Sequence, residues 1–174
     1  MKRLAVGAVT IPLLALLGWC LALGIGLSQG TKVRLRIEGY DPRDLLSGRY
    51  IRYALSEGNS GRRCDVGAPS PNDTYCGCLT PELDSPYFTL AWIGVCDKKP
   101  ADCTLFLKGS CRTGRFTAGI EEYYLPEELA PALQTIPPNS SIVLAVSRSG
   151  RSQAVQMLVE DVPVEEYARR KLAQ

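Results

Sequence analysis

The chain has 174 residues, with 20 Lys and Arg against 18 Asp and Glu, seven Cys and no His. Without histidine, Ser-His-Asp and Cys-His catalysis and the usual His-ligated zinc hydrolases are excluded within this chain. Setting aside Lys2 and Arg3 leaves 18 basic residues against 18 acidic ones, a balance that implies neither a nucleic-acid surface nor a strongly acidic partner.

Lys2 and Arg3 precede an uncharged stretch from Leu4 to Leu27, a pattern that no later segment repeats. As a helix this run of about 24 residues would span about 36 Å, enough to cross a hydrocarbon core of about 30 Å with some tilt. A signal-peptide h-region is only about 7–15 residues long and ends at a small-x-small site, so an uncleaved anchor is favoured over cleavage. Pro12 is tolerable within such a span, and Cys20, preceded by the bulky Trp19, reads as a packed membrane cysteine. The positive-inside rule keeps Lys2 and Arg3 in the cytoplasm and exports residues 28–174. The expected location is therefore the inner membrane, with a single pass and the C-terminal part on the periplasmic or outer side.

The exported part, about 147 residues, is of a size that makes one domain. Val33, Leu35 and Ile37 alternate with Lys32, Arg34, Arg36 and Glu38, which predicts a half-buried strand with the basic residues outward. A second strand is predicted at Tyr50–Leu55, after a loop or single helical turn punctuated by Gly39, Pro42 and Gly48. From Glu57 to Ser85 the composition turns to Gly, Ser, Pro, Asn and Asp, which predicts an irregular insertion too polar to build its own core. Further strands are predicted at Tyr87–Val95, Cys103–Leu107 and Phe116–Tyr124, then a short helix from Leu125 to Ala130. Ile142–Val146 and Gln153–Val159 read as a hairpin turned by Ser147–Arg151. The tail from Val162 to Lys171 reads as a terminal helix, with Asp161 as candidate cap. The fold class is mainly β (α+β): one N-terminal transmembrane helix over residues 1–27, then a β-rich extracytoplasmic domain over 28–174. A cysteine-rich insertion is expected at about 57–112, and no internal repeat is present.

Six cysteines, Cys64, Cys76, Cys78, Cys96, Cys103 and Cys111, crowd into that insertion. An even number in a loop-rich exported segment predicts up to three disulfides, with 15 connectivities open. A tetrahedral sulfur site for a metal is the rival. Paired C-x-x-C knuckles are missing, so no metal and no cofactor are expected. Cys76 and Cys78 are not expected to bond each other, because a bridge across one residue is strained.

The run Asp41-Pro42-Arg43-Asp44-Leu45-Leu46-Ser47-Gly48-Arg49-Tyr50-Ile51-Arg52-Tyr53 resembles the D-P-R-D-x-x-x-G-D-Y-x-x-L segment of the GDYXXLXY-type membrane-anchored bacterial proteins. Gly119-Ile120-Glu121-Glu122-Tyr123-Tyr124-Leu125-Pro126-Glu127 resembles their G-I-E-x-Y-F-V-P-E stretch, and Ile142–Val159 sits where their last two strands would fall. The resemblance implies a single N-terminal anchor, a periplasmic β-rich domain and no established biochemical activity. This chain departs from the pattern at Arg49 in place of aspartate, at Tyr53 in place of leucine, and in its cysteine insertion.

Within these blocks, Asp41, Arg43, Asp44 and Arg49 beside Tyr50 and Tyr53 form a candidate recognition patch, since Arg and Tyr carry much of the energy at contact surfaces. The same residues could equally lock one strand to the next around Pro42 and Gly48, and that folding role is favoured. Tyr123, Tyr124 and Glu127 face the same choice, and a place in the core and helix start is favoured over binding. Two Ser-Lys candidates, Ser47 and Ser56, lack a lysine in an apolar run that would lower its pKa to make a base. The expected function is a non-enzymatic, membrane-anchored binding or assembly module acting with another membrane or envelope protein. The alternatives are a small Ser-Lys peptidase and a purely structural disulfide-stabilised domain; a small-molecule ligand is left open.

Overall fold

The computed structural model describes residues 13–19, 30–39, 50–56, 64, 73–112, 114–133 and 135–174. Residues 13–19 form a helix, α1, with exposed side chains. Among the described residues no helix is long and apolar enough to cross a membrane. The remainder of the expected anchor, with Cys20, lies outside the described residues.

The rest is mainly β, in two antiparallel sheets that share one core. The first sheet contains β1 (Thr31–Gly39), β2 (Tyr50–Leu55), β7 (Glu122–Tyr124), β8 (Ser140–Val146), β9 (Ser152–Val159) and β10 (Val162–Pro163), in the order β10-β9-β8-β1-β2-β7. β1 behaves as its alternation demands. Val33, Leu35 and Ile37 are buried; Val33 and Leu35 pair with Leu144 and Ile142 of the central strand β8, both fully buried, and Ile37 pairs with Leu55 of β2. Truncating either of these β8 side chains to alanine removes about 2–5 kcal/mol. The β8–β9 hairpin turns at Ser147–Arg151, closed by Ser147 N–H donating to the Arg151 carbonyl at 2.8 Å.

The second sheet contains β3 (Tyr75–Pro81), β4 (Phe88–Val95), β5 (Phe106–Arg112) and β6 (Arg115–Thr117), in the order β4-β3-β5-β6. This overturns the expectation of an irregular, coreless segment up to Ser85. Average composition conceals a short run in which Tyr75, Gly77 and Leu79 face the core and Cys76 and Cys78 face the other way. Gly77 is small because the Leu90 side chain and the Phe116 ring occupy the space a Cβ would need. Tyr75 and Leu79 join the same hydrophobic cluster as Val33 and Leu35, so this sheet and the first one build a common core. Residues 57–63 and 65–72 of that segment lie outside the described residues.

Three disulfides form: Cys64–Cys111, Cys76–Cys96 and Cys78–Cys103. Cys76 and Cys78 therefore pair elsewhere, as their spacing predicts. Their two bridges run from the outward face of β3 to Cys96, the first residue of the 3-10 turn Cys96–Lys98, and to Cys103 beyond that turn. Cys64–Cys111 instead lies within the core cluster.

The strand predicted over Phe116–Tyr124 is two strands in different sheets. Gly119, at φ +75°, breaks it, and the chain leaves β6 of the second sheet to enter β7 of the first. Glu121 holds this corner by accepting a hydrogen bond from Ala118 N–H at 2.5 Å. The fifth strand begins at Phe106, three residues later than predicted, because Pro100 and the Cys103 bridge occupy the residues before it. The short helix is a 3-10 helix over Glu127–Ala132, with Pro131 inside it. The terminal helix α2 (Val164–Leu172) has Pro163, not Asp161, at its N-cap. Asp161 lies with Glu160 in the two-residue β9–β10 turn, both at positive φ as a primed hairpin turn requires.

Candidate functional site

Tyr50 and Tyr53 are three residues apart on a strand, so they point to opposite faces. Tyr53 is buried, its hydroxyl donates to the Ile120 carbonyl, and its own N–H donates to the Glu121 carbonyl at 3.0 Å. Burial, with the Glu121 carboxylate nearby, pushes its pKa far above the usual tyrosine value. Tyr53 is thus a core strut between β2 and the Gly119 corner, which corrects its place in the recognition patch. Tyr50 is 57 % exposed.

The register of β2 against β7 decides which tyrosine joins Tyr50. Tyr50 pairs with Tyr124 and Ile51 with Tyr123, so Tyr123 shares the inward face of Ile51 and Tyr124 the outward face of Tyr50. Tyr123 packs against the core cluster and donates to Glu165 Oε1 of α2 at 2.9 Å. Burial, then the hydrogen bond to the Glu165 carboxylate, push its pKa up to about 12. That contact ties one end strand of the curled sheet to the helix that follows the other end strand. Tyr123 is accordingly a structural link.

Tyr124, for which the sequence favours a core or helix-start place as for Tyr123, is instead on the surface. Its ring meets that of Tyr50 edge-on at 5.9 Å between centroids. Beside them Arg52 Nε donates to Glu122 Oε1 at 3.1 Å. This exposed group lies on β2 and the three-residue end strand β7. Glu127 is exposed at the start of the 3-10 helix. Asp41, Arg43, Asp44 and Arg49 lie outside the described residues, as does Ser47. Ser56 donates to Glu38 Oε1 at 2.7 Å. Among the described residues no group of His, Cys, Asp and Glu is arranged to hold a metal.

A second feature had no linear signature. The basic face of β1, predicted to be a solvated surface, is partly covered by the β3–β4 connection. Tyr87 presents its ring to both Arg34, at 4.7 Å, and Arg36, at 4.1 Å. Arg36 Nη1 also donates to Glu82 Oε1 at 2.5 Å, while Arg34 pairs with Asp161 and donates through Nε to Ser141 Oγ at 2.8 Å. The hydrogen bond from Arg36 holds the Glu82 carboxyl below its usual pKa. Next to this clasp opens a groove of about 820 Å³, bordered by Arg36, Glu38, Tyr87, Pro138, Asn139 and Glu160 among others. Only the alternating charges of β1 were visible in advance; the Tyr87 and Glu160 walls arrive from distant positions.

No curated protein and no solved structure matches the chain. The profile described as GDYXXLXY protein matches residues 12–157, which takes in the first sheet's main strands, the disulfide-bonded sheet and the Tyr50–Tyr124 pair. The chain therefore belongs to the GDYXXLXY protein family.

Proposed function

We propose that this protein is a non-catalytic binding or assembly module, anchored in the inner membrane through residues 4–27, with residues 28–174 on the periplasmic or outer side. Its partner in this reading is another membrane or envelope protein. The observation that carries the proposal is the exposed Tyr50–Tyr124 pair with the Arg52–Glu122 ion pair beside it. Aromatic and arginine side chains are enriched where protein surfaces meet, and here they sit on β2 and the short end strand β7 beside it. Three disulfides support an oxidising compartment. The basic start and the long uncharged stretch support the anchor and its orientation.

The test is affinity purification of the full chain in mild detergent, with mass spectrometry of what accompanies it. A stoichiometric membrane or envelope protein is expected, lost from the Tyr50→Ala/Tyr124→Ala variant while its circular dichroism spectrum is unchanged. Undiminished recovery of the partner with that variant would remove this face as the contact. Recovery of the chain alone would defeat the assembly reading.

A further inference from the structure

The groove beside the Arg34–Arg36–Tyr87 clasp shares no lining residue with the Tyr50–Tyr124 pair. At about 820 Å³ it falls within the ~300–1,000 Å³ of ordinary ligand clefts. Ile136, Pro137, Pro138 and Tyr87 contribute apolar surface, and Glu38, Glu160 and Asp161 contribute carboxylates. The charges do not cancel locally. Arg36 is engaged by Glu82 and Asp161 by Arg34. Among the described residues, Glu38 has only the neutral hydroxyl of Ser56, and Glu160 has no ion pair. The groove thus presents two uncompensated negative charges beside an apolar wall.

We propose that this groove binds an extended, basic segment of a partner polypeptide, its apolar side chains lying on Ile136, Pro137 and Pro138 and a lysine or arginine reaching Glu38 and Glu160. Charge complementarity selects this occupant: an acidic segment would meet Glu38, Glu160 and Asp161 with like charge, and the two arginines that could receive it are already paired. The Tyr87 ring, held in place by two guanidinium groups, forms one fixed wall.

The experiment is fluorescence anisotropy of the full chain in mild detergent with a labelled peptide of about eight residues alternating lysine and leucine, against its glutamate-leucine counterpart. Saturable binding of the basic peptide alone is expected, weakening in 0.5 M salt as exposed charge pairs do (a condition where the Debye length is only about 4 Å). The Glu38→Gln/Glu160→Gln variant should bind about fivefold more weakly, while Tyr50→Ala/Tyr124→Ala binds as before. Should the double variant fail to fold, Glu160→Gln alone, in the exposed turn, is measured and should weaken binding about twofold. Equal binding of both peptides, no saturable binding, or unchanged affinity in the folded glutamine variant would overturn the proposal. Loss of binding in the tyrosine variant would instead move the basic segment to that face.

Discussion

Tyr53 is fastened twice to the Ile120–Glu121 backbone, through its hydroxyl and through its N–H. Tyr53→Phe keeps the ring and leaves a buried carbonyl without its donor, so a loss of about 1–2 kcal/mol is expected in urea unfolding. The motif that names the family has leucine here. A tyrosine is accommodated because the position faces inward and the Ile120 carbonyl lies within reach. Tyr123 yields a pH prediction. Its pKa is raised from the ordinary value near 10 to about 12, so between these values the folded chain holds a proton that the unfolded chain releases. Its contribution is complete below pH 10 and declines as pH rises from 10 to 12. Tyr123→Phe should flatten that part of the stability profile, measured by denaturant unfolding at successive pH values. Glu82 acts in the opposite sense. Its lowered pKa means that the Arg36–Glu82 contact weakens as pH falls through the carboxylate range.

Among the elements, the Gly119 corner has the largest effect on topology, because it sends one predicted strand into two sheets. A Cβ at Gly119 would meet nothing within 4 Å, yet φ is +75°. Gly119→Ala therefore tests backbone strain alone, and a cost of about 1–2 kcal/mol is expected in urea unfolding. Gly150→Ala should cost more, since φ is +80° and the new methyl would collide with the Phe106 ring. Phe106 there marks the docking of β5 onto the β8–β9 turn, where Lys108 N–H donates to the Gly150 carbonyl at 2.7 Å. β1, β2, β8 and β9 were legible because each carries its own alternation or a continuous apolar run of strand length. β3 was not, since Cys76 and Cys78 on its outward face are as apolar as Tyr75 and Leu79 on its inward face, so no alternation of apolar and polar residues shows. Asp161 misled for a related reason: an acid before a helical pattern suits a cap, and only the β9–β10 pairing places it in the turn instead.

At the scale of the whole molecule, two disulfides fasten the outward face of β3 and the third lies in the core cluster. Reduction of the full chain is expected to lower stability by about 2–4 kcal/mol per bridge, seen as a lower urea midpoint with and without reductant. The Cys64→Ser/Cys111→Ser variant isolates the bridge that closes the longest loop, with a sequence separation of 47. If the midpoint does not move on reduction, the shared core alone suffices to hold the two sheets together. By itself the sequence determined the class, mainly β, and the first sheet's main strands, through periods that depend only on neighbours along the chain. It also determined the even set of bonding cysteines and the family, through motifs written in consecutive residues. Tertiary structure alone decided which cysteines pair, which of Tyr50, Tyr53, Tyr123 and Tyr124 face solvent, and that Tyr87 closes over Arg34 and Arg36. Those outcomes depend on register and on contacts between distant segments, and no local pattern encodes either.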